Sequence, residues 1–281
     1  MSDINKLIQD LTLKEKISLM SGFNSWYTNK IDRLGIPSIK MSDGPNGVRG
    51  DAMSGKSSAC FPCAISIGST WDMDLISQLG IALGEEAKVK DVDVLLGPTI
   101  NIHRHPLGGR HFESFSEDPF LTGKIAIEYV KGVQSKNIAA CLKHFVGNDT
   151  EFERYTISSN IDEKTLREIY LLPFEMAIKE ANAKVVMSAY NKLNNIYCSS
   201  HENLLIDILK DEWGFDGYVV SDWGAARDTV ENAIGGLDLE MPGPAKSWGK
   251  NLITAINDKE VPEDLINDKV KRILNVASFC K

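Results

Sequence analysis

Strand-length apolar runs alternate with longer amphipathic segments along almost the whole chain, and this alternation constrains the fold more than any other feature. The runs fall at 36–42, 92–97, 139–145, 185–190, 218–221 and 237–241. Helical periodicity occupies 13–20, 73–89, 119–136, 163–181, 204–213, 226–234, 248–256 and 262–279. Continuous apolar strands separated by helices imply a parallel sheet covered on both faces. Asp162-Glu163-Lys164-Thr165 and Ser116-Glu117-Asp118-Pro119 mark two helix starts, the second with Pro near the first helical position. Pro173 lies inside the 163–181 stripe and predicts a bend or interruption there.

The long polar, Gly-rich connections, Ser42 to Gly50 and Asn101 to Pro119, follow strands rather than precede them. They therefore belong to the C-terminal face of the sheet, where barrel enzymes hold their chemistry. A doubly wound open sheet would share the alternation, but it usually carries G-x-G-x-x-G after its first strand, and this chain does not. No repeat, linker or low-complexity tract divides the 281 residues. The expected fold is α/β: one TIM-like (β/α)8 barrel over 1–281, with an irregular first strand.

A net charge of −8 argues against nucleic acid, whose phosphates demand clustered Lys and Arg. No run approaches the roughly 18 apolar residues of a membrane span. Met1-Ser2-Asp3-Ile4-Asn5-Lys6 lacks the basic and apolar regions of a secretory signal, so a cytoplasmic location is expected. Five cysteines are scattered at 60, 63, 141, 198 and 280. Cys60-Phe61-Pro62-Cys63 has redox or zinc half-site spacing, but no second pair exists and Pro62 favours an extended loop. Free, mostly buried thiols are the expectation.

Val219-Val220-Ser221-Asp222-Trp223-Gly224 reads as a buried strand ending in a carboxylate beside an indole. On its own, Asp222 could cap the following helix. At a barrel strand end, next to a ring that stacks on a sugar face, it suits a carbohydrate-processing nucleophile. Asp43, Arg110, Lys143, His144 and Tyr190 also end strands or open loops on that face. Each has a plain structural explanation alone: a surface guanidinium, a core histidine, a snorkelling lysine. Together they supply acceptors and donors for the paired hydroxyls of a hexose, rather than the amide cradle of a phosphate. Lys143 and His144 are neighbours on one strand and should point to opposite faces. If both serve one pocket, the backbone there must be irregular.

These segments, with Leu96-Gly97-Pro98-Thr99-Ile100-Asn101-Ile102, Gly108-Gly109-Arg110, Phe112 through Pro119, Lys143-His144-Phe145 and Met187-Ser188-Ala189-Tyr190-Asn191, resemble the β-glucosidases of glycoside hydrolase family 3. The likeness runs nearly end to end. It implies a retaining, exo-acting hydrolase for terminal non-reducing β-D-glucosyl residues, with a glycosyl-Asp222 intermediate. It implies that Asp43, Arg110, Lys143, His144, Arg154 and Tyr190 hold the sugar and that Met187 and Trp223 line the site. The loop Val146 to Arg154 lacks the His of the N-acetylglucosaminidase branch. No cofactor or metal is implied; His103, His105 and His111 lack a carboxylate pattern around them. The partners implied are a β-glucoside or short β-linked oligosaccharide, with neither nucleic acid nor membrane.

One part of the resemblance is missing. In multidomain members the general acid/base is a Glu from a second α/β domain, and this chain stops at Lys281, after the final barrel helix. A second domain or another subunit is the expected source, and the isolated chain is expected to be weak or inactive. Glu113, Glu151 and Glu240 are the internal candidates, with Glu113 expected to be structural. Two other readings compete: a sugar-binding barrel without turnover, and a Schiff-base aldolase using Lys143.

Overall fold

The structure is a computed structural model and describes residues 4–50 and 57–281. The start of the N-terminal segment that carries no secretory pattern thus lies outside the described residues. Among the described residues eight strands occur in chain order: β1 Met41–Ser42, β2 Val94–Leu95, β3 Ala139–Phe145, β4 Ser158–Ser159, β5 Val185–Ser188, β6 Lys192–Leu193, β7 Ile196–Tyr197 and β8 Tyr218–Ser221. Five of them form one parallel sheet in the order β1-β2-β3-β5-β8. Its central strands are buried throughout, as their unbroken apolar runs require.

Isolated bridges carry the sheet round toward a closed ring. Val220 pairs with Leu239, Glu240 with Ser21, Gly22 with Thr28, and Tyr27 with Lys40, next to β1. The result is the expected TIM-like barrel, with an irregular seam at its first segments. The seam is irregular for local reasons. Pro37 interrupts 36–42, so only Met41–Ser42 is regular strand. Along 237–241 the buried Asp238 uses its own Oδ2 to accept the Val219 amide at 2.8 Å, the place a strand carbonyl would take. Lys210 Nζ lies 2.7 Å from the same carboxylate, and the buried Lys269 is nearby.

Helices Met73–Val89 and Pro119–Gln134 pack on each other, the second also against β3, and each is capped by an aspartate side chain, Asp72 and Asp118. They approach so closely that a Cβ on Gly132 would lie 2.8 Å from the Gly80 Cα. Only glycine fits that crossing. The bend expected from Pro173 is a π-helical stretch, Leu166–Leu171, that feeds the helix Leu172–Ala181. The 204–213 segment is also π-helical, over Asn203–Glu212. The helix expected from 226 begins at Val230, after Asp228 accepts the Glu231 amide.

A small sheet, β4-β6-β7, sits beside the C-terminal ends of β3 and β5. Its hairpin turns through Asn194 and Asn195, both at positive φ. All five cysteines are free. Cys141 and Cys198 are buried, but Cys60 and Cys63 are exposed, contrary to the expectation of mostly buried thiols, because their segment is an irregular loop before a short helix. Among the described residues no helix is long and apolar enough to cross a membrane.

Candidate active site

The C-terminal ends of the parallel strands surround a cavity of about 240 Å³, and every residue expected from the sequence lines it. Asp43 follows β1, Arg110 stands in the loop after β2, and Lys143 and His144 end β3. Arg154 comes from the loop after β3, Met187 and Tyr190 from β5 and its exit, and Asp222 and Trp223 from the exit of β8. Trp26 and Leu96 also line the cavity and were not anticipated. Trp26 stands in the seam, its ring 5.6 Å from that of Trp223, and no motif around it signals a wall residue.

Lys143 and His144 reach the same cavity because β3 is irregular at that point. Pairing with β5 shifts register between Leu142 and Phe145, and the Lys143–His144 peptide is cis. Lys143 Nζ is bound to Asp43 Oδ1 at 2.9 Å. Burial works against the Asp43 charge, but Lys143, Arg49 and Arg110 outweigh it and hold its carboxyl below the usual aspartate range. Burial, with Arg110, Lys143 and Arg154 around it, pushes the His144 imidazole well below its ordinary value, so the ring is neutral.

Asp222 is buried. Its Oδ1 accepts the Trp223 amide at 2.7 Å, while Oδ2 makes no hydrogen bond and faces His144 Nε2 at 3.7 Å. Burial raises its pKa, with the Trp223 amide, Lys143, the nearby Tyr190 hydroxyl and Arg110 pulling the other way. Gly224, at φ 85°, turns the chain away immediately afterwards. Tyr190 donates its hydroxyl to the Trp223 carbonyl at 3.0 Å, and Trp223 Nε1 donates to the Ser25 carbonyl at 2.9 Å. Both bonds fix the walls around the carboxylate.

Arg110 and Arg154 are held by carboxylates just outside the cavity. Arg110 Nε donates to Glu113 at 2.6 Å, and Arg154 to Glu151 at 2.8 Å. Arg154 also lies over the Tyr190 ring, 4.9 Å from its centroid. The small sheet ties these loops together: the Lys192 amide donates to the Ile157 carbonyl at 2.9 Å. The three internal glutamates are all otherwise engaged. Glu113 binds Arg110 and Thr99, Glu151 binds both arginines, and Glu240 accepts the amides of Lys246, Ser247 and Trp248. None lines the cavity. Beyond the site, the His103 and His111 rings pack at a tilt of 40° and bind backbone carbonyls. Among the described residues no three His, Cys, Asp or Glu are grouped to hold a metal. Asp149, at the edge of a neighbouring cavity, is buried without a hydrogen bond on either carboxyl oxygen, and burial pushes its pKa up to about 7.

The sequence profile of the glycosyl hydrolase family 3 N-terminal domain matches residues 7–276. The chain belongs to glycosyl hydrolase family 3. This family 3 chain is 52% identical over 273 residues to a β-glucosidase of Rhizobium radiobacter, covering 96% of its own length and 33% of the relative's. It is 48% identical over 282 residues to the thermostable β-glucosidase B of Acetivibrio thermocellus, covering 98% of itself and 37% of that protein. The β-glucosidase of Kluyveromyces marxianus, solved in complex with glucose, superposes with a TM-score of 0.96 at 45% identity, over 99% of this chain and 34% of that one. Thermotoga neapolitana β-glucosidase 3B, also solved with glucose, gives 0.94 at 39% identity, over 98% and 42%. The family 3 chain thus spans about a third of the length of the two sequence relatives.

Proposed function

We propose that this chain is the sugar-binding, nucleophile-bearing barrel of a retaining β-glucosidase. The cavity takes the terminal β-D-glucosyl unit of a glucoside or short β-linked oligosaccharide. Asp43 accepts from sugar hydroxyls, Lys143, Arg110 and Arg154 donate to them, and Trp223, Trp26 and Met187 offer apolar walls to the ring. An Asp222 oxygen bonds to the anomeric carbon as the bond to the leaving oxygen breaks, and that oxygen takes up a proton. Water then attacks the same carbon, loses its proton, and releases glucose and the Asp222 carboxylate with net retention.

The observation that carries this reading is the buried, unpartnered Oδ2 of Asp222 within a ring of hydroxyl-binding side chains. The proton for the leaving group is the unmet need. A retaining pair of carboxyls stands roughly 5–5.5 Å apart. Asp43, the other carboxylate in the cavity, is neutralised by Lys143, and Glu113, Glu151 and Glu240 lie outside it. The greater length of the relatives supports a second domain or another subunit as the acid/base source. Lys143 Nζ is engaged by Asp43 at 2.9 Å, which gives no support to Schiff-base chemistry.

The test is intact mass and peptide mapping after incubation with a 2-fluoro-β-glucoside bearing a dinitrophenyl leaving group, which needs no acid. An adduct on Asp222 is the expected result. A folded chain that binds glucose yet gains no adduct would overturn the catalytic reading and leave a binding barrel.

A further inference from the structure

We infer that Asn101 is a positioning residue that fixes His144 as a hydrogen-bond acceptor toward the cavity, so that the ring offers no proton to Asp222 Oδ2. The mechanistic half of this inference rests on the glucosidase reading; the structural half does not. Asn101 lies in the loop after β2, buried at 7% exposure. Its whole amide is spent on one residue. Oδ1 accepts the His144 backbone amide at 2.8 Å, Nδ2 donates to the His144 carbonyl at 2.9 Å, and Oδ1 stands 3.2 Å from His144 Nδ1.

The two backbone bonds fix the orientation of the side-chain amide, since a flip would set N–H against N–H and oxygen against oxygen. Asn101 Oδ1 has no hydrogen to give. The ring nitrogen beside it must therefore be the donor, and Nδ1 carries the hydrogen. The titratable and charged groups sharing its cavities are Lys143 on β3, Arg110 and Arg154 from the loops after β2 and β3, Asp43 after β1, Tyr190 after β5 and Asp222 after β8, with His111 and Asp149 on the Asn101 side. The three cations and burial keep the imidazole neutral. A neutral ring with hydrogen on Nδ1 presents a lone pair at Nε2.

Nε2 and Asp222 Oδ2 thus face each other at 3.7 Å as two acceptors with no proton between them. The opposite tautomer would donate to Oδ2, and a hydrogen bond to a carboxylate stabilises its charge and lowers its nucleophilicity. With Nε2 bare, the carboxylate keeps its electron density. A sugar hydroxyl entering the gap supplies the missing donor. Asn101 touches no substrate in this scheme; it acts through His144.

The test is long-range proton–nitrogen NMR on the full chain with labelled histidine, recorded without sugar across neutral pH. His144→Asn identifies the resonances. Wild-type His144 should show a protonated Nδ1 and an unprotonated Nε2. Asn101→Leu should populate the Nε2-protonated form and slow covalent labelling by the activated glucoside about tenfold or more, the effect expected of a hydrogen bond to a charged group. A wild-type ring protonated at Nε2 would overturn the inference, and that spectrum requires no variant to fold. So would an unchanged tautomer in Asn101→Leu. Because the spectrum is independent of turnover, failure of the glucosidase reading would appear separately, as absent labelling with the tautomer as described.

Discussion

Lys143 and Asp43 stand 100 positions apart, yet Nζ and Oδ1 meet at 2.9 Å in the cavity. The lysine side chain is 4% exposed and the aspartate 30%. Each holds the other in place, and Lys143 helps keep Asp43 ionised, so the polar array is organised before any ligand arrives. A buried ammonium deprived of its carboxylate would have no comparable partner.

Asp43→Ala should therefore destabilise the chain by about 2–4 kcal/mol, toward the lower part of the range for breaking a buried pair because Asp43 is partly exposed. Urea unfolding at neutral pH measures it. Glucose binding should vanish in the same variant. An unfolding midpoint equal to wild type would mean that water compensates Lys143 as well as the carboxylate does.

The rate of labelling at Asp222 should fall on the acid side, because only the carboxylate attacks. Burial raises the Asp222 pKa, so the limb should lie above the ordinary aspartate value of 3.8. Lys143 pulls that pKa down. Lys143→Met should consequently move the limb to higher pH, besides weakening sugar binding. A limb that stays in place would show that Lys143 does not act electrostatically on the nucleophile.

Asp149 gives a prediction about stability alone. Its folded pKa is raised from 3.8 to about 7, so the folded state holds a proton that the unfolded chain releases. The associated stability is complete below pH 3.8 and is lost as pH rises toward about 7. Asp149→Asn removes the cost of ionising a buried, unpaired carboxyl. At about 1.4 kcal/mol for each pH unit separating the folded and unfolded values, the upper bound is about 4 kcal/mol, and a gain of about 1–3 kcal/mol at pH 8 is expected. Denaturation curves at pH 8 and pH 4 should show the gain at the first and little at the second.

Leaving-group dependence probes the source of the acid in these 281 residues. General acid help is typically worth about 10²–10⁴-fold, so cellobiose should suffer by that factor while dinitrophenyl glucosides do not. Single-turnover rates on the two substrates measure the gap. Brisk cellobiose cleavage with a bell-shaped pH profile would point to an acid within the chain, and Glu151→Gln, the glutamate paired with both arginines of the cavity, would be the variant to make next.

Elements whose strand-length or helical periodicity runs unbroken were legible in the sequence. Strands β3 and β8 and the helix Met73–Val89 fall where their periodicity ends. Where a side chain substitutes for backbone, as Asp238 does for a strand carbonyl, pattern reading overextends the strand. The hairpin through Asn194 and Asn195 is too short for an apolar run to mark it, although consecutive asparagines between Leu193 and Ile196 signal such a turn. The site was readable because its charged residues follow strands in fixed order and carry a family pattern. Trp26 and Asn101 escaped for different reasons. Trp26 reaches the cavity only through closure of the seam, and Asn101 works through a neighbour whose irregular backbone no periodicity describes.

The bond from Trp223 to the carbonyl of Ser25 joins positions 198 apart, beside the bridge between Ser21 and Glu240. The cavity wall is stitched from the earliest and the latest barrel segments to leave the ribosome. A growing chain that has not yet released Leu239 and Glu240 holds the nucleophile but not the wall. Sugar affinity should therefore be acquired late in synthesis and abruptly, as the two ends of the sheet find each other, rather than accumulate strand by strand.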